Sequence, residues 1–101
     1  EEKRHWYFYN CIGYTDLVLP EGLTTIDYGA FWDCDTLLSV ALPDSLRSIG
    51  QYAFYGARSL ASVSFPEGLA TIGRQAFLKT LLTEADVTLP ASLGEEKRHW
   101  Y

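Results

Sequence analysis

Leu42-Pro43-Asp44-Ser45-Leu46-Arg47-Ser48-Ile49-Gly50-Gln51-Tyr52-Ala53-Phe54 decides the fold, because the same text stands on either side of it. The prolines are Pro20, Pro43, Pro66 and Pro90, spaced by 23, 23 and 24 residues. Three places after each comes a leucine: Leu23, Leu46, Leu69 and Leu93. Ile26, Ile49 and Ile72 follow at six places. Ala30-Phe31, Ala53-Phe54 and Ala76-Phe77 come at ten and eleven. Leu17-Val18-Leu19, Val40-Ala41-Leu42, Val63-Ser64-Phe65 and Val87-Thr88-Leu89 run into the prolines. Leu37 and Leu60 precede two of these runs by three.

Over the whole unit an apolar residue recurs at about every second or third place. No single helix or strand has that mixed period. One turn of a solenoid does, because every winding sends its apolar side chains into a shared interior. The V-x-L frame alternates like a short strand, and proline, which cannot donate to a ladder, ends it. The Ile-Gly-x-x-Ala-Phe stretch suits a short helical or 3₁₀ turn. Equivalent strands would pair in parallel, roughly 4.8 Å apart, and stack like residues into columns. Each buried Leu, Ile or Phe would stabilise by roughly 1.5–3 kcal/mol.

The predicted fold is therefore a single α/β solenoid with one parallel sheet and short helical or 3₁₀ turns opposite, in about four repeats. Partial units 1–16 and 87–101 flank repeats at about 17–39, 40–62 and 63–86.

The repeated text resembles the BspA-like leucine-rich repeats, whose units have about this length and an L-P-x-x-L-x-x-I-G-x-x-A-F-x-x-C core. Leu42-Pro43, Leu46, Ile49-Gly50 and Ala53-Phe54 match most fully, then Leu19-Pro20 through Cys34, then Phe65-Pro66 through Phe77. The resemblance implies a right-handed leucine-rich-repeat coil. It also implies adhesion or protein binding at an extracellular or cell-surface location, and a small buried thiol in the Cys11 and Cys34 slot.

Residues 1–7 and 95–101 both read Glu-Glu-Lys-Arg-His-Trp-Tyr. Removing one copy leaves 94 residues, four units. The identity fits a window cut from a longer array, an engineered sequence with a copied segment, or a tag or cap at both ends. The isoleucine slot falls there at Glu2 or Lys3, and again at Glu96 or Lys97, so the frame needs one extra residue. Another lies within Leu81–Asp86, where the leucine slot is ambiguous. Trp6, Tyr7, Phe8, Tyr9, Trp100 and Tyr101 do not resemble polar caps, and open coil ends expose core and ladder edges. They are candidate self-association ends, which makes a homo-oligomer the expected state; local capping is the alternative.

The 101 residues carry 8 Lys+Arg against 13 Asp+Glu, net −5, with 48% hydrophobic residues. This composition folds as one domain and opposes broad binding to nucleic acid or anionic membranes. No apolar run approaches the ~20 residues of a membrane span. The chain shows no signal-peptide pattern and does not begin with Met, which reads as a mature, excised or engineered segment.

Catalytic and metal residues are expected to be none, and no cofactor is expected. His5 and His99 sit in the duplicated heptapeptide. Cys34 between Asp33 and Asp35 suggests a metal ligand, but its shared slot with Cys11 favours stacked core cysteines; a disulfide between rungs needs suitable Cβ directions. Two cysteines make no disulfide framework from which to read the compartment.

Alternation puts Asp16, Val18, Ser39, Ala41, Ser62, Ser64, Asp86 and Thr88 outward as a candidate binding face, flat but without Trp, Tyr or Arg anchors. Tyr28, Trp32, Tyr52 and Tyr55, with Arg58, flank the Ala-Phe turns and are candidate exposed anchors. The expected function is a non-catalytic scaffold for protein–protein interaction. The alternative is a self-assembling unit whose duplicated ends join copies into a ring or filament.

Overall fold

The computed structural model describes residues 13–82 and the backbone of the strand His5–Trp6. Seven short strands follow in order: β1 (His5–Trp6), β2 (Asp16–Val18), β3 (Thr25–Ile26), β4 (Ser39–Ala41), β5 (Ser48–Ile49), β6 (Ser62–Ser64) and β7 (Thr71–Ile72). All pairings are parallel. Asp16, Ser39 and Ser62 are partners, as are Leu17, Val40 and Val63, so the 23-residue unit stacks in register.

These strands form two sheets, β1-β3-β5-β7 and β2-β4-β6, where one was expected. Proline is the reason. It ends the first strand, and a turn follows in which the Leu23, Leu46 and Leu69 amides donate to the Pro20, Pro43 and Pro66 carbonyls at 3.4, 3.1 and 3.2 Å. The chain leaves this corner in a new direction and makes a second short strand ending in isoleucine. Ser45 pins the corner across units: its hydroxyl accepts from the Gly22 amide at 2.9 Å and donates to the Leu23 carbonyl at 2.7 Å.

The Ala-Phe segments are not helices, which corrects the second expectation; among the described residues no helix occurs. In Tyr52–Ala57 the amides alternate between two partners. Ala53, Tyr55 and Ala57 donate to carbonyls three residues back, at 3.1–3.2 Å. Tyr52, Phe54 and Gly56 donate to Arg74, Ala76 and Leu78 of the next unit, at 3.2, 2.7 and 2.9 Å. A helix would keep all these donors to itself. Two left-handed positions per turn also bar it: Gly29, Tyr52 and Gln75 in one column (φ 64°, 60°, 59°), and Asp33, Gly56 and Lys79 in another (φ 60°, 80°, 65°).

Between sheets and turns lies one core. Leu23, Leu46 and Leu69 are fully buried, with Ile26, Ile49, Leu37 and Leu60. Phe31, Phe54 and Phe77 stack with ring centroids 4.9 and 5.0 Å apart and planes within 10° and 6°. Units approach closely beside this column. A Cβ on Gly50 would meet the Tyr28 amide nitrogen at 2.7 Å and the Ile26 carbonyl oxygen at 2.9 Å. Leu82 is buried in the same cluster, which places the ambiguous leucine slot of the third repeat at 82.

Two further expectations change. The isoleucine slot of the first unit is held by Trp6, which pairs with Ile26 from 20 residues away, and not by Glu2 or Lys3. The shorter step leaves three fewer residues between this strand and β2 than the later units have. Cys34 is buried and disulfide-bonded, so its sulfur is neither a core thiol nor a free thiolate ligand. The chain's other cysteine, Cys11, lies outside the described residues.

Candidate functional site

Two of the surfaces that the repeats present carry the candidate residues, the β2-β4-β6 sheet and the turns. On the sheet, Asp16, Val18, Ala41, Ser62 and Ser64 are exposed and Ser39 is half-buried, in straight columns. The Ser39 hydroxyl donates to Asp16 Oδ1, and Thr15 Oγ1 donates to Asp16 Oδ2 at 3.5 Å. Val18, 78% exposed, is the one large apolar group in the row. Asp86 and Thr88 lie outside the described residues.

The turn surface is built differently. Trp32 occupies the same column as Tyr55, one unit away, and Tyr52 stands three residues before Tyr55. The Trp32 ring lies 5.3 Å from Tyr52 and 5.0 Å from Tyr55, tilted by 41° to both. Tyr52 meets Tyr55 edge-on at 5.5 Å and Tyr28 edge-on at 5.5 Å. So the four aromatics read from the sequence form one cluster. The rings pack between units and still reach solvent: Tyr28 is 59% and Trp32 40% exposed, and Tyr52 and Tyr55 are half-buried.

Charged groups frame the cluster. Arg58 Nε lies 4.0 Å from Asp35 Oδ1, with both side chains about two-thirds exposed (70% and 67%). Such a pair contributes little to stability. Lys79 Nζ stands 6.0 Å from the Tyr55 ring centre, within cation–π range. Sequence reasoning missed Lys79. The signal was available, since Asp33, Gly56 and Lys79 share one column of the repeat.

A shallow cleft of about 440 Å³ opens at the proline corners, between Leu42–Asp44 and Ser64–Gly68. Its polar lining is Asp44, Ser64 and Glu67. Among the described residues no group of three or more His, Cys, Asp or Glu converges on a metal position. No helix among them is long and apolar enough to cross a membrane. His5 belongs to β1, and His99 lies outside the described residues. Of the proposed self-association ends, only the Trp6 backbone is described; Tyr7, Phe8, Tyr9, Trp100 and Tyr101 lie outside.

The BspA type leucine rich repeat region matches residues 4–97, in 6 copies. The chain belongs to this family. Two solved structures are similar to this leucine-rich repeat chain. One, the T. pallidum leucine rich repeat protein TpLRR, is 42% identical over 63% of this chain and 32% of its own, with a TM-score of 0.61. The other, a leucine-rich repeat protein from Bacteroides ovatus ATCC 8483, is 19% identical over 82% of this chain and 30% of its own, also at 0.61, and shows the fold alone. The chain thus spans about a third of the length of the solved chains it matches. No curated protein matches it.

Proposed function

We propose that the chain is a non-catalytic scaffold for protein–protein interaction, its units wound as a solenoid, and that the aromatic turn face is its docking surface. The carrying observation is the contiguous Tyr28–Trp32–Tyr52–Tyr55 cluster, half in solvent and rimmed by Arg58 and Lys79. Trp, Tyr and Arg are the residues that dominate binding energy at protein interfaces. The family background supports the reading: leucine-rich repeats generally mediate protein contacts and are typically non-enzymatic, and the BspA type is associated with bacterial surface proteins. Surface display and adhesion follow as parts of the same proposal. The sheet face is the weaker candidate, because its groups are small and Asp16 and Ser39 satisfy one another.

A photo-crosslinking side chain at Tyr55 tests this against the same probe at Ser62. Adducts with a protein from Tyr55 and none from Ser62 are expected; adducts from Ser62 alone would move the site to the sheet.

Self-assembly through the chain ends is the second reading. It is favoured by the duplicated heptapeptide, whose first copy contributes β1, the outer strand of its sheet as described. Deleting residues 95–101 tests it: loss of association supports it, and unchanged association removes it.

A further inference from the structure

The charges on the turn face are sorted by unit. The first turn, residues 27–36, carries Asp27, Asp33 and Asp35 and no basic group. The second, 50–59, carries Arg58 and no acid; the third, 73–82, carries Arg74 and Lys79 and no acid. Asp33, Asp35, Arg58, Arg74 and Lys79 are all exposed. Asp33 and Lys79 stand in one column, two units apart, with the aromatic cluster beside them. From the first of these turns to the third the face therefore runs from anionic to cationic, with the aromatic cluster in the first and second.

Such a surface is complementary to itself in charge after a half-turn about the second turn: Tyr52 and Tyr55 fall on their own images, Asp33 and Asp35 of the first turn meet Arg74 and Lys79 of the third, and Tyr28 and Trp32 come to face the third turn's Leu78 side. That is the requirement for an isologous contact. A uniformly acidic or basic partner would meet repulsion at one end, and like-charge juxtaposition disfavours a partner strongly. A neutral glycan would gain nothing from the polarity.

We infer that the turn face pairs two copies of this chain, antiparallel, with Asp33 and Asp35 of each opposite Arg74 and Lys79 of the other. The inference rests on the docking role of this face and names its occupant.

Charge exchange tests it, with mass read by sedimentation velocity at low and high salt. The wild-type chain should dimerise at tens of micromolar and dissociate as salt rises. An all-acidic face (Arg74→Glu with Lys79→Glu) and an all-basic face (Asp33→Lys with Asp35→Lys) should each be monomeric alone. Mixed in equal amounts they should form a heterodimer, and the fourfold exchange within one chain should restore the homodimer. Folding should survive, since these side chains are exposed and Lys79 already holds the conformation asked of a lysine at 33. A wild-type chain that stays monomeric at several hundred micromolar would overturn the inference. In that case a protein adduct still formed from Tyr55 would leave the docking role standing with a different occupant, and absence of any adduct would remove both. Dimers indifferent to all four charges would place association elsewhere and also overturn it.

Discussion

The interior columns and the turn columns of this chain follow opposite rules. Inside, three columns keep one residue through the three consecutive described units: Leu23, Leu46, Leu69; Ile26, Ile49, Ile72; Phe31, Phe54, Phe77, all buried. On the turns, one position holds a different chemistry each time: Tyr28, Gln51, Arg74; Trp32, Tyr55, Leu78; Asp33, Gly56, Lys79. A packed column must fit the same space in each unit, so its residue repeats. A solvent-facing column has no such demand. Its variation is free to encode a surface, and here it produces an aromatic cluster on the first two of these turns and a change of charge from the first to the third. The sheet row, with Asp16, Ser39 and Ser62, lies between the two: it faces outward but stays small and polar.

Changes inside should therefore cost far more than changes on the turns. Phe54→Ala strikes the middle of the ring stack and should lose about 3–5 kcal/mol by chemical denaturation. An unchanged unfolding midpoint would mean the column is not the core. Reduction comes next. Cys34 is in a disulfide, and breaking it should lower stability by about 2–4 kcal/mol. Melting with and without a reductant reads this, and equal curves would contradict it.

Gly50→Ala probes the close approach of units and should destabilise by about 1–3 kcal/mol, because the added carbon meets backbone and not a yielding side chain. The smallest effect belongs to the turns. Gln75→Gly removes a left-handed non-glycine residue and should raise stability by up to about 1 kcal/mol, whereas Ser62→Ala on the sheet face should stay within about 0.5 kcal/mol of wild type. A larger loss at Ser62 than at Gly50 would dissolve the contrast between interior and exterior.

Most of the stacking was legible in the text, because units stacked in register keep their spatial neighbours at a constant separation in sequence. Leu46 over Leu23 and Phe54 over Phe31 need only the 23-residue step. Trp6 shows where that step stops informing. The first unit reaches its slot in 20 residues, and only the pairing with Ile26 reveals it. The oxidised Cys34 was open for a similar reason, since spacing alone does not say how two sulfurs are directed. The four aromatics were legible as candidates by their position beside the Ala-Phe turns. That they meet as one cluster was not, since ring contact depends on how far each turn tilts.

The sequence by itself determined which side chains share an interior, because a repeated apolar pattern can be dried only by laying unit on unit. Tertiary structure decided where the hydrogen bonds go. An amide in the Tyr52–Ala57 turn can bond within its own unit or to the next, and the choice depends on the neighbour being in place. That choice turned a prospective helix into a stitched turn. The proline corner likewise turned one prospective sheet into two, because it redirects the chain only where a second ladder is there to receive it.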